Sequence, residues 1–299
     1  MDDYKKLLFI INPVSGRKKG LPYVTDIIRI FYEYGYLTTT MLTTERGDAT
    51  KYTIEYGTDF DIIVCLGGDG TLNEVCTGLG IAGIHIPVGY IPAGSTNDFA
   101  ECHELSTKVL EAAVNIMEKE SHASDLGKLH DGYFTYVAAV GALASLSYST
   151  SQKMKNKFGH AAYFTGALPV IMKLRTTYLK VTDDEGNVYE GDYIYGSALN
   201  STSLAGTFDI PKEYVDTADG IFEVFLVKKP KNIKDFYDIV TGMFSQNYDK
   251  TDSIQFFRSK SLHIETGEDE TDWTLDGEHY KAPPVFDIEN MHQFISIKG

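Results

Sequence analysis

Short apolar runs alternate with helical patterns along the first 120 or so residues of the chain. Apolar runs predict strands at residues 7–11, 61–66 and 87–91, and the β-branched threonines of residues 36–42 predict another. Apolar residues recurring at helical spacing predict helices at residues 24–31, 48–57, 71–79 and 106–117. Such alternation is typical of a parallel sheet covered by helices. Residues 1–125 are therefore predicted to form a three-layer α/β domain with a mostly parallel sheet.

The pattern changes after about residue 125, where strand-like runs are joined by turn sequences. Such turns stand at residues 130–132, 184–187, 219–220 and 276–277, and their Asp, Asn and Gly residues favour antiparallel connections. Two helices are expected within this region, at residues 158–174 and 233–244. We predict a second, β-rich domain over residues 126–285 with an antiparallel, β-sandwich-like fold. The segment 286–299 is a candidate to pack back on the first domain.

Charge and hydropathy narrow the functional classes. The formal net charge of −15 disfavours non-specific nucleic-acid binding, which depends on Lys and Arg. No apolar run approaches the roughly 20 residues that a membrane-spanning helix needs, and the first residues lack the apolar stretch of a secretory signal. A cytoplasmic protein is expected, with membrane contact restricted to peripheral contact at the inner face. A lysine-rich stretch at 153–160 is either a membrane-facing cluster or a solvated helix face.

The strongest chemical signal is the run Gly-Gly-Asp-Gly-Thr at residues 67–71, which follows an apolar strand and opens a helix. Glycines let the backbone approach a ligand closely, and the N–H groups at a helix N-terminus favour a phosphate. A carboxylate would repel that phosphate, so Asp69 indicates a divalent cation between the two. The alternative is a tight strand-to-helix turn in which Asp69 caps the helix.

Two further polar loops follow predicted strands. Residues 11–20 offer amide, hydroxyl and cationic groups, and residues 92–100 offer hydroxyls and a second carboxylate. Ligands bind at the carboxyl ends of strands in open α/β sheets, so the three loops are expected to converge there. Taken alone, each loop is also compatible with an Asx turn or a helix cap.

The three loops resemble those of the diacylglycerol kinase catalytic-domain family, including its bacterial soluble lipid kinases. The family shows Asn-Pro-x-Ser/Ala-Gly, Gly-Gly-Asp-Gly-Thr-x-Asn-Glu, Gly-Thr/Ser-x-Asn-Asp-Phe-Ala and Leu-Asp-Gly-Glu. All four runs occur here in that order, at residues 12–16, 67–74, 94–100 and 275–278. The resemblance covers nearly the whole chain. It implies ATP and Mg²⁺ as cofactors, with ATP in a cleft between the two domains.

The resemblance also implies roles for individual residues. Glu278 is the implied catalytic carboxylate, which orients or deprotonates the attacking hydroxyl. Asp69 and Asp98 complete the implied catalytic set as carboxylates of the magnesium network. Without the resemblance, residues 276–278 would be interpreted as a hairpin turn. The residues implied for the nucleotide are Asn12, Thr43, Gly67, Gly68, Asp69, Gly70, Thr71, Asn73, Glu74, Gly94 and Ser95.

Bacterial members of the family also carry a structural magnesium site at an Asp-Gly turn. The matching segment here is 214–221. The resemblance implies that Asp219 supplies a carboxylate, while Asp216 and Ile221 offer mainly carbonyl oxygens. A β-turn without a metal is the alternative.

The expected function is transfer of the ATP γ-phosphoryl group to the hydroxyl of a lipid presented at a membrane surface. Diacylglycerol is the default acceptor, while phosphatidylglycerol, sphingoid bases and homodimer formation stay open. An NAD kinase-like enzyme shares the Gly-Gly-Asp-Gly loop, and a catalytically silent nucleotide- or lipid-binding regulator could use the same fold. The runs at 94–100 and 275–278 favour the lipid kinase.

Overall fold

A computed structural model describes residues 4–18, 20–142, 172–204, 208–210, 215–248 and 251–299. The lysine-rich stretch at 153–160 lies outside these residues, as does the helix predicted at 158–174 except for its last three residues, which lie in a turn and a bend. The chain divides into two compact units. Met1–Leu126, Tyr133–Thr135 and Met291–Gly299 form the first, and Gly127–Gly132 and Tyr136–Asn290 form the second.

The helices and strands of the described residues are numbered in chain order. The α-helices are α1 (Val24–Glu33), α2 (Asp48–Tyr56), α3 (Asp69–Ala82), α4 (Asp98–Cys102), α5 (Val109–Glu118) and α6 (Ile233–Phe244). Short 3-10 helices occupy Ser15–Lys18, Leu21–Tyr23 and Gly57–Asp59. The strands are β1 (Lys5–Ile11), β2 (Tyr36–Leu42), β3 (Ile62–Gly67), β4 (Pro87–Pro92), β5 (His122–Leu129), β6 (Gly132–Phe134), β7 (Val137–Val140), β8 (Thr177–Asp183), β9 (Val188–Leu199), β10 (Ser203–Leu204), β11 (Phe208–Asp209), β12 (Phe222–Lys228), β13 (Ile254–Ser259), β14 (Ser261–Thr266), β15 (Thr271–Leu275), β16 (Glu278–Ala282) and β17 (Val285–Lys298).

The first unit is built on a parallel sheet with the strand order β2-β1-β3-β4, as the alternating pattern predicts. The end of β17 adds a further parallel strand, because Ser296–Lys298 pair with the start of β4. All of β3 is buried, which is typical of a strand covered by helices on both faces. Its core joins apolar residues of β1 and β3 to those of α1 and α5.

Helix α3 extends beyond the predicted residues 71–79 at both ends, and α4 and α5 also differ from the prediction. Helix α5 begins at Val109, later than the predicted residue 106, because Ser106 Oγ accepts the backbone N–H of Lys108 at 3.2 Å and holds the preceding residues in a turn. The five-residue helix α4 lies within the predicted polar loop. Helices α4 and α5 both begin where a side chain, and not an apolar period, fixes the backbone.

The second unit is antiparallel and β-rich, in agreement with its turn sequences. Its strands follow the order β16-β15-β7-β9-β8-β14-β17, and β12 pairs with both β9 and β13. Its core surrounds Phe225 of β12 and includes apolar residues of α6. No helix in the described part of either unit is long and apolar enough to cross a membrane.

Candidate functional site

Three loops meet at the carboxyl ends of β1, β3 and β4. The backbone N–H of Asn12 donates to Leu66 O at 2.9 Å, and that of Ala93 donates to Gly67 O at 2.6 Å. The Asn12 side chain also donates from Nδ2 to Thr71 Oγ1 at 3.1 Å. These bonds join the loop after β1 and the loop after β4 to the glycine-rich turn between them. The structure therefore brings together the three loops that the sequence predicts to converge.

Glycines permit this close approach. A Cβ added to Gly94 would lie 2.7 Å from Gly68 Cα, and one added to Gly16 would lie 1.8 Å from the carbonyl oxygen of Ala93. Gly16 also has a φ of +51°, which L side chains rarely adopt. A side chain at either position would force the loops apart. The backbone groups of the loops, and not side chains, consequently form the floor of the site.

The N-terminus of α3 offers backbone donors to that floor. Within the described residues, the N–H groups of Gly68, Asp69 and Gly70 donate to no protein acceptor, whereas those of Thr71 and Leu72 donate to Gly68 O. Unpaired amides at a helix N-terminus attract anions. Gly68 and Gly70 are partly exposed, so an anion can reach them. These groups fit the phosphates of a nucleotide.

Asp69 caps a neighbouring helix instead of its own. Helix α3 has Gly68 as its N-cap and no side-chain capping bond. The Asp69 carboxylate, 9% exposed, instead accepts the N–H groups of Asp98 at 3.1 Å and Phe99 at 3.3 Å, at the start of α4. It also accepts the hydroxyls of Thr96 at 3.3 Å and Tyr90 at 3.4 Å. The residue thus ties the glycine-rich turn to the loop after β4.

The surroundings of Asp69 are strongly desolvated. Burial raises the pKa of the Tyr90 hydroxyl well above its ordinary value, and the negative charge of Asp69 raises it further. Tyr90 therefore stays protonated and serves as a hydrogen-bond donor. Burial likewise raises the pKa of the Cys65 thiol, which excludes a reactive thiolate here. All four groups that point at Asp69 are thus neutral donors.

The hydroxyl-bearing residues of the loop after β4 are accessible to solvent. Ser95 is exposed, and Gly94 and Asp98 are partly buried. Asn97 adopts a left-handed conformation with a φ of +58°, and its Oδ1 accepts the N–H of Gly94 at 2.8 Å. This bond curls the loop so that it turns directly into α4. Ser95 lies within this loop, and Asp98 opens α4 with its N–H on the Asp69 carboxylate.

Glu74, on the second turn of α3, caps α2. Its carboxylate accepts the N–H groups of Gly47 at 2.9 Å and Ala49 at 3.1 Å. Thr43 begins the same connection, and its N–H donates to Ile11 O at 2.9 Å. Asn73 donates from Nδ2 to the carbonyl of Tyr133 at 3.1 Å. The Glu74 carboxylate and the Asn73 amide thus bind backbone groups, and Asn73 Oδ1 also accepts the Thr77 hydroxyl at 3.4 Å.

In the second unit, Glu278 stands at the start of β16, just after the Asp276-Gly277 turn. It pairs with Leu275 across the hairpin, and it is exposed. Asp276 is 5% exposed, and its Oδ1 accepts the N–H groups of Tyr136 and Val137. Residues 276–278 therefore form the hairpin turn that is the alternative interpretation of this segment, and Glu278 is accessible to solvent. The anchoring role of Asp276 was not predicted, because its partners are remote in sequence.

The described part of the predicted metal segment, residues 215–221, contains a turn with a cation already beside it. Asp219 Oδ1 accepts the N–H of Ile221 at 2.9 Å, and its Oδ2 pairs with Arg258 Nη2 at 2.5 Å. Asp216 Oδ1 accepts the N–H of Ala218 at 3.0 Å. A Mg²⁺ ion at this turn would have to share Asp219 with the guanidinium. Among the described residues, no three His, Cys, Asp or Glu side chains are grouped to hold a metal.

Comparisons with known proteins agree with this geometry. Residues 6–129 match the model of the diacylglycerol kinase catalytic domain. Over 295 residues the chain is 29% identical to the diacylglycerol kinase of Bacillus subtilis (strain 168), covering 98% of this chain and 96% of that protein. It is also 29% identical to the diacylglycerol kinase of Staphylococcus carnosus (strain TM300). The crystal structure of a diacylglycerol kinase from Bacillus anthracis superposes with a TM-score of 0.77 at 28% identity, covering 100% of this chain and 98% of the other.

Proposed function

We infer, because the chain belongs to the diacylglycerol kinase catalytic-domain family, that this ATP-dependent lipid kinase uses diacylglycerol as its acceptor. The free hydroxyl oxygen of the lipid would attack the γ-phosphorus of ATP, and the bond from that phosphorus to the bridging oxygen would break. The hydroxyl proton passes to a protein base. The products are a phosphorylated lipid and ADP. The single observation that carries the phosphate half of this proposal is the row of unengaged amides at the start of α3.

The first unit provides the phosphate side of the proposed reaction. The amides of Gly68, Asp69 and Gly70, with the positive end of the α3 dipole, would bind phosphate oxygens. We propose that Asp69 and Asp98 hold the catalytic Mg²⁺ network, since Mg²⁺ is commonly held by one or two carboxylates together with substrate phosphates. When bound, Mg²⁺ neutralises charge on the phosphates. The donors around Asp69 support this role, because they keep its carboxylate in one position.

Further proposed nucleotide residues lie on the connections after β1, β2 and β4 and on α3. We propose that Asn12, Thr43 and Ser95 contact the nucleotide directly, since Ser95 is exposed and the other two lie on the connections after β1 and β2. Glu74 and Asn73 would act on the nucleotide through the backbone they bind.

Glu278 is the proposed base of the second unit. A base must reach a lipid hydroxyl, and the exposed side chain of Glu278 at the end of a hairpin turn is accessible to it. A carboxylate oxygen would accept the hydroxyl proton as the new P–O bond forms. The acceptor resides in a bilayer, so we propose that a cytoplasmic enzyme meets it by peripheral contact with the membrane surface.

Acceptor discrimination tests the function. The protein is incubated with γ-labelled ATP and Mg²⁺ in mixed micelles that contain diacylglycerol, phosphatidylglycerol or sphingosine, and separately with NAD. We expect label in phosphatidic acid. Labelling should require Mg²⁺, so EDTA should abolish it. Label that appears only in NADP, or in no acceptor, would overturn the lipid kinase assignment. Label that appears only in another lipid would keep the lipid kinase assignment and show that the acceptor is that other lipid.

Substitution of the proposed base tests its role. Glu278→Gln keeps the size of the side chain and removes its basicity, so turnover should fall at least about 100-fold, the scale of general-base catalysis. Glu270→Gln is the matched control, because Glu270 is an exposed carboxylate beside the same hairpin that pairs with Lys281. Its turnover should stay near that of the wild type. Equal activities of the two variants would refute the base assignment.

A further inference from the structure

The turn that carries Glu278 has an unusual backbone. Asp276 and Gly277 have φ values of +50° and +85°, the pattern of a two-residue hairpin turn in which both central residues are left-handed. Asp tolerates this conformation better than most residues, although it still costs energy. The turn therefore needs stabilising contacts if the first residue of β16 is to have a single position.

Those contacts come from the segment that opens β7. Asp276 Oδ1 accepts the N–H groups of Tyr136 and Val137, each at 3.0 Å. The Asp276 N–H donates to Val137 O at 2.9 Å, and its carbonyl accepts the Tyr136 hydroxyl at 3.2 Å. The side chain, the N–H and the carbonyl of one residue are thus all bonded to two consecutive residues of another strand.

Burial makes this anchor strong. Asp276 and Tyr136 are 5% and 6% exposed, so water competes little for their hydrogen bonds. Bonds from N–H groups to a carboxylate are roughly twice as strong as bonds between neutral groups. The adjoining ladder continues the attachment, because Leu275 pairs with Ala138 in β7. The turn is consequently fixed at Asp276, two positions before the exposed Glu278.

We propose that Asp276 is a positioning residue for Glu278, holding the β15–β16 turn so that the Glu278 carboxylate has a fixed orientation toward the lipid hydroxyl. This inference rests on the proposed role of Glu278 as the base. Asp276 itself touches no reacting atom. Its loss should therefore slow the chemical step while ATP binding in the first unit is unchanged.

Two substitutions of Asp276 separate its role as a hydrogen-bond acceptor from its negative charge. Asp276→Ala removes the acceptor, and we expect kcat to fall by about 100-fold, the scale for a misplaced catalytic group, with the KM for ATP within about twofold of the wild type. Asp276→Asn retains an oxygen that can accept both N–H groups, so it should keep kcat within about tenfold of the wild type. A fall in kcat as large in the Asn variant as in the Ala variant would overturn the positioning role.

A buried turn carboxylate elsewhere in the unit provides the control. Asp183, 9% exposed, accepts the N–H groups of Glu185 and Asn187 in the β8–β9 hairpin. Asp183→Ala should lower the melting temperature and leave kcat unchanged. If it lowers kcat as much as Asp276→Ala does, the effect is one of general stability and the proposal fails.

A double-mutant cycle isolates the coupling to Glu278. In a Glu278→Ala background, Asp276→Ala should cause no further loss of kcat, because the group that it positions is absent. A full additional 100-fold loss, on the scale of the single substitution, would show an independent effect and refute the inference. If Glu278→Ala is itself fully active, the base assignment of the proposed function fails, which is a separate outcome.

A milder variant keeps the test decisive if Asp276→Ala does not fold. Tyr136→Phe removes only the hydroxyl that donates to the Asp276 carbonyl. We expect a several-fold fall in kcat, an unchanged KM for ATP, and no effect in the Glu278→Ala background. Unchanged kcat in a folded Tyr136→Phe variant would count against the anchor.

Discussion

The Asp69 carboxylate accepts the backbone N–H of Asp98 at 3.1 Å. One acidic residue of the proposed magnesium network therefore holds the backbone of the other. A carboxylate at this helix N-terminus is favoured by the N–H groups that have no acceptor within the helix and by the dipole of α4. The same contact fixes the backbone from which the Asp98 side chain projects.

Removal of Asp69 should affect both activity and stability. Asp69→Ala leaves the N–H groups of Asp98 and Phe99 without their acceptor in a largely buried site, at a cost of about 1–3 kcal/mol. We expect turnover to fall at least about 100-fold, since the proposed metal-network carboxylate and an ordered loop are lost together. Urea unfolding and steady-state kinetics measure the two effects.

Asp61→Ala is the control for that experiment. Asp61 also accepts a backbone N–H, that of Lys6, but it is exposed on the first unit. We expect wild-type turnover from this variant. Near-wild-type turnover of Asp69→Ala would contradict the catalytic role of Asp69.

Gly16 should tolerate no side chain. A Cβ there would lie 1.8 Å from the Ala93 carbonyl oxygen, so Gly16→Ala must separate the loops after β1 and β4. We expect the KM for ATP to rise at least about tenfold, because the phosphate floor would be distorted. Gly35→Ala is the matched control, since Gly35 also has a positive φ but has no atom within 4 Å of an added Cβ. If the KM for ATP of Gly16→Ala is no higher than that of Gly35→Ala, the close contact between the loops is not needed for ATP binding and the prediction is wrong.

Stability should fall in mild acid because of His103. Burial, followed by the charge of His122, lowers the pKa of His103 to about 3. The unfolded chain therefore takes up a proton below about pH 6.5 that the folded protein refuses, so stability declines as the pH falls from about 6.5 towards 3. His103→Gln should flatten this slope by up to about 1.4 kcal/mol per pH unit. Denaturation at a series of pH values measures it, and an unchanged slope would be contrary to this account.

Arg258 should matter for the stability of the second unit. Its Nε donates to Glu223 Oε1 at 3.1 Å, and the Glu223 side chain is 1% exposed. Burial raises the pKa of Glu223 to about 8, and Arg258 opposes that rise. Arg258→Met would remove this opposing cation from the buried carboxyl, and because Arg258 is itself 38% exposed we expect a loss of about 1–3 kcal/mol. Lys281→Met is the control, since its pair with Glu270 is about 60% exposed on both sides. That variant should change stability by less than about 0.5 kcal/mol, and equal losses would contradict the role of burial.

The parallel-sheet elements of the first unit could be predicted because each is a local pattern. The strand 62–67 is an uninterrupted apolar run, and the turn after it has the glycines that a strand-to-helix junction with a ligand requires. Helix α4 was not predicted, because its N-terminus is stabilised by Asp69, which precedes Asp98 by 29 positions. A five-residue helix also has too few positions to reveal a period.

In the candidate site, too, local sequence patterns could be predicted and contacts between remote residues could not. The residue types at 67–71 indicate phosphate chemistry because a buried strand, a glycine-rich turn and a helix N-terminus follow one another there. The contacts of Asp276 could not be predicted, because Tyr136 lies 140 positions earlier and only the folded chain brings the two together. The capping of α2 by Glu74 was missed for the same reason, at a separation of 27 positions.

Strand β17 has consequences for biosynthesis. Its Val285–Glu289 portion pairs with β14, and its Ser296–Lys298 portion completes the parallel sheet beside β4. During translation, β4 leaves the ribosome about 200 residues before its partner, so one edge of the nucleotide-binding sheet stays unpaired while the whole second unit is made. A message truncated anywhere before that last strand would yield a sheet with an open edge, which is a template for aggregation. We therefore expect the nascent chain to depend on chaperones until its final strand emerges.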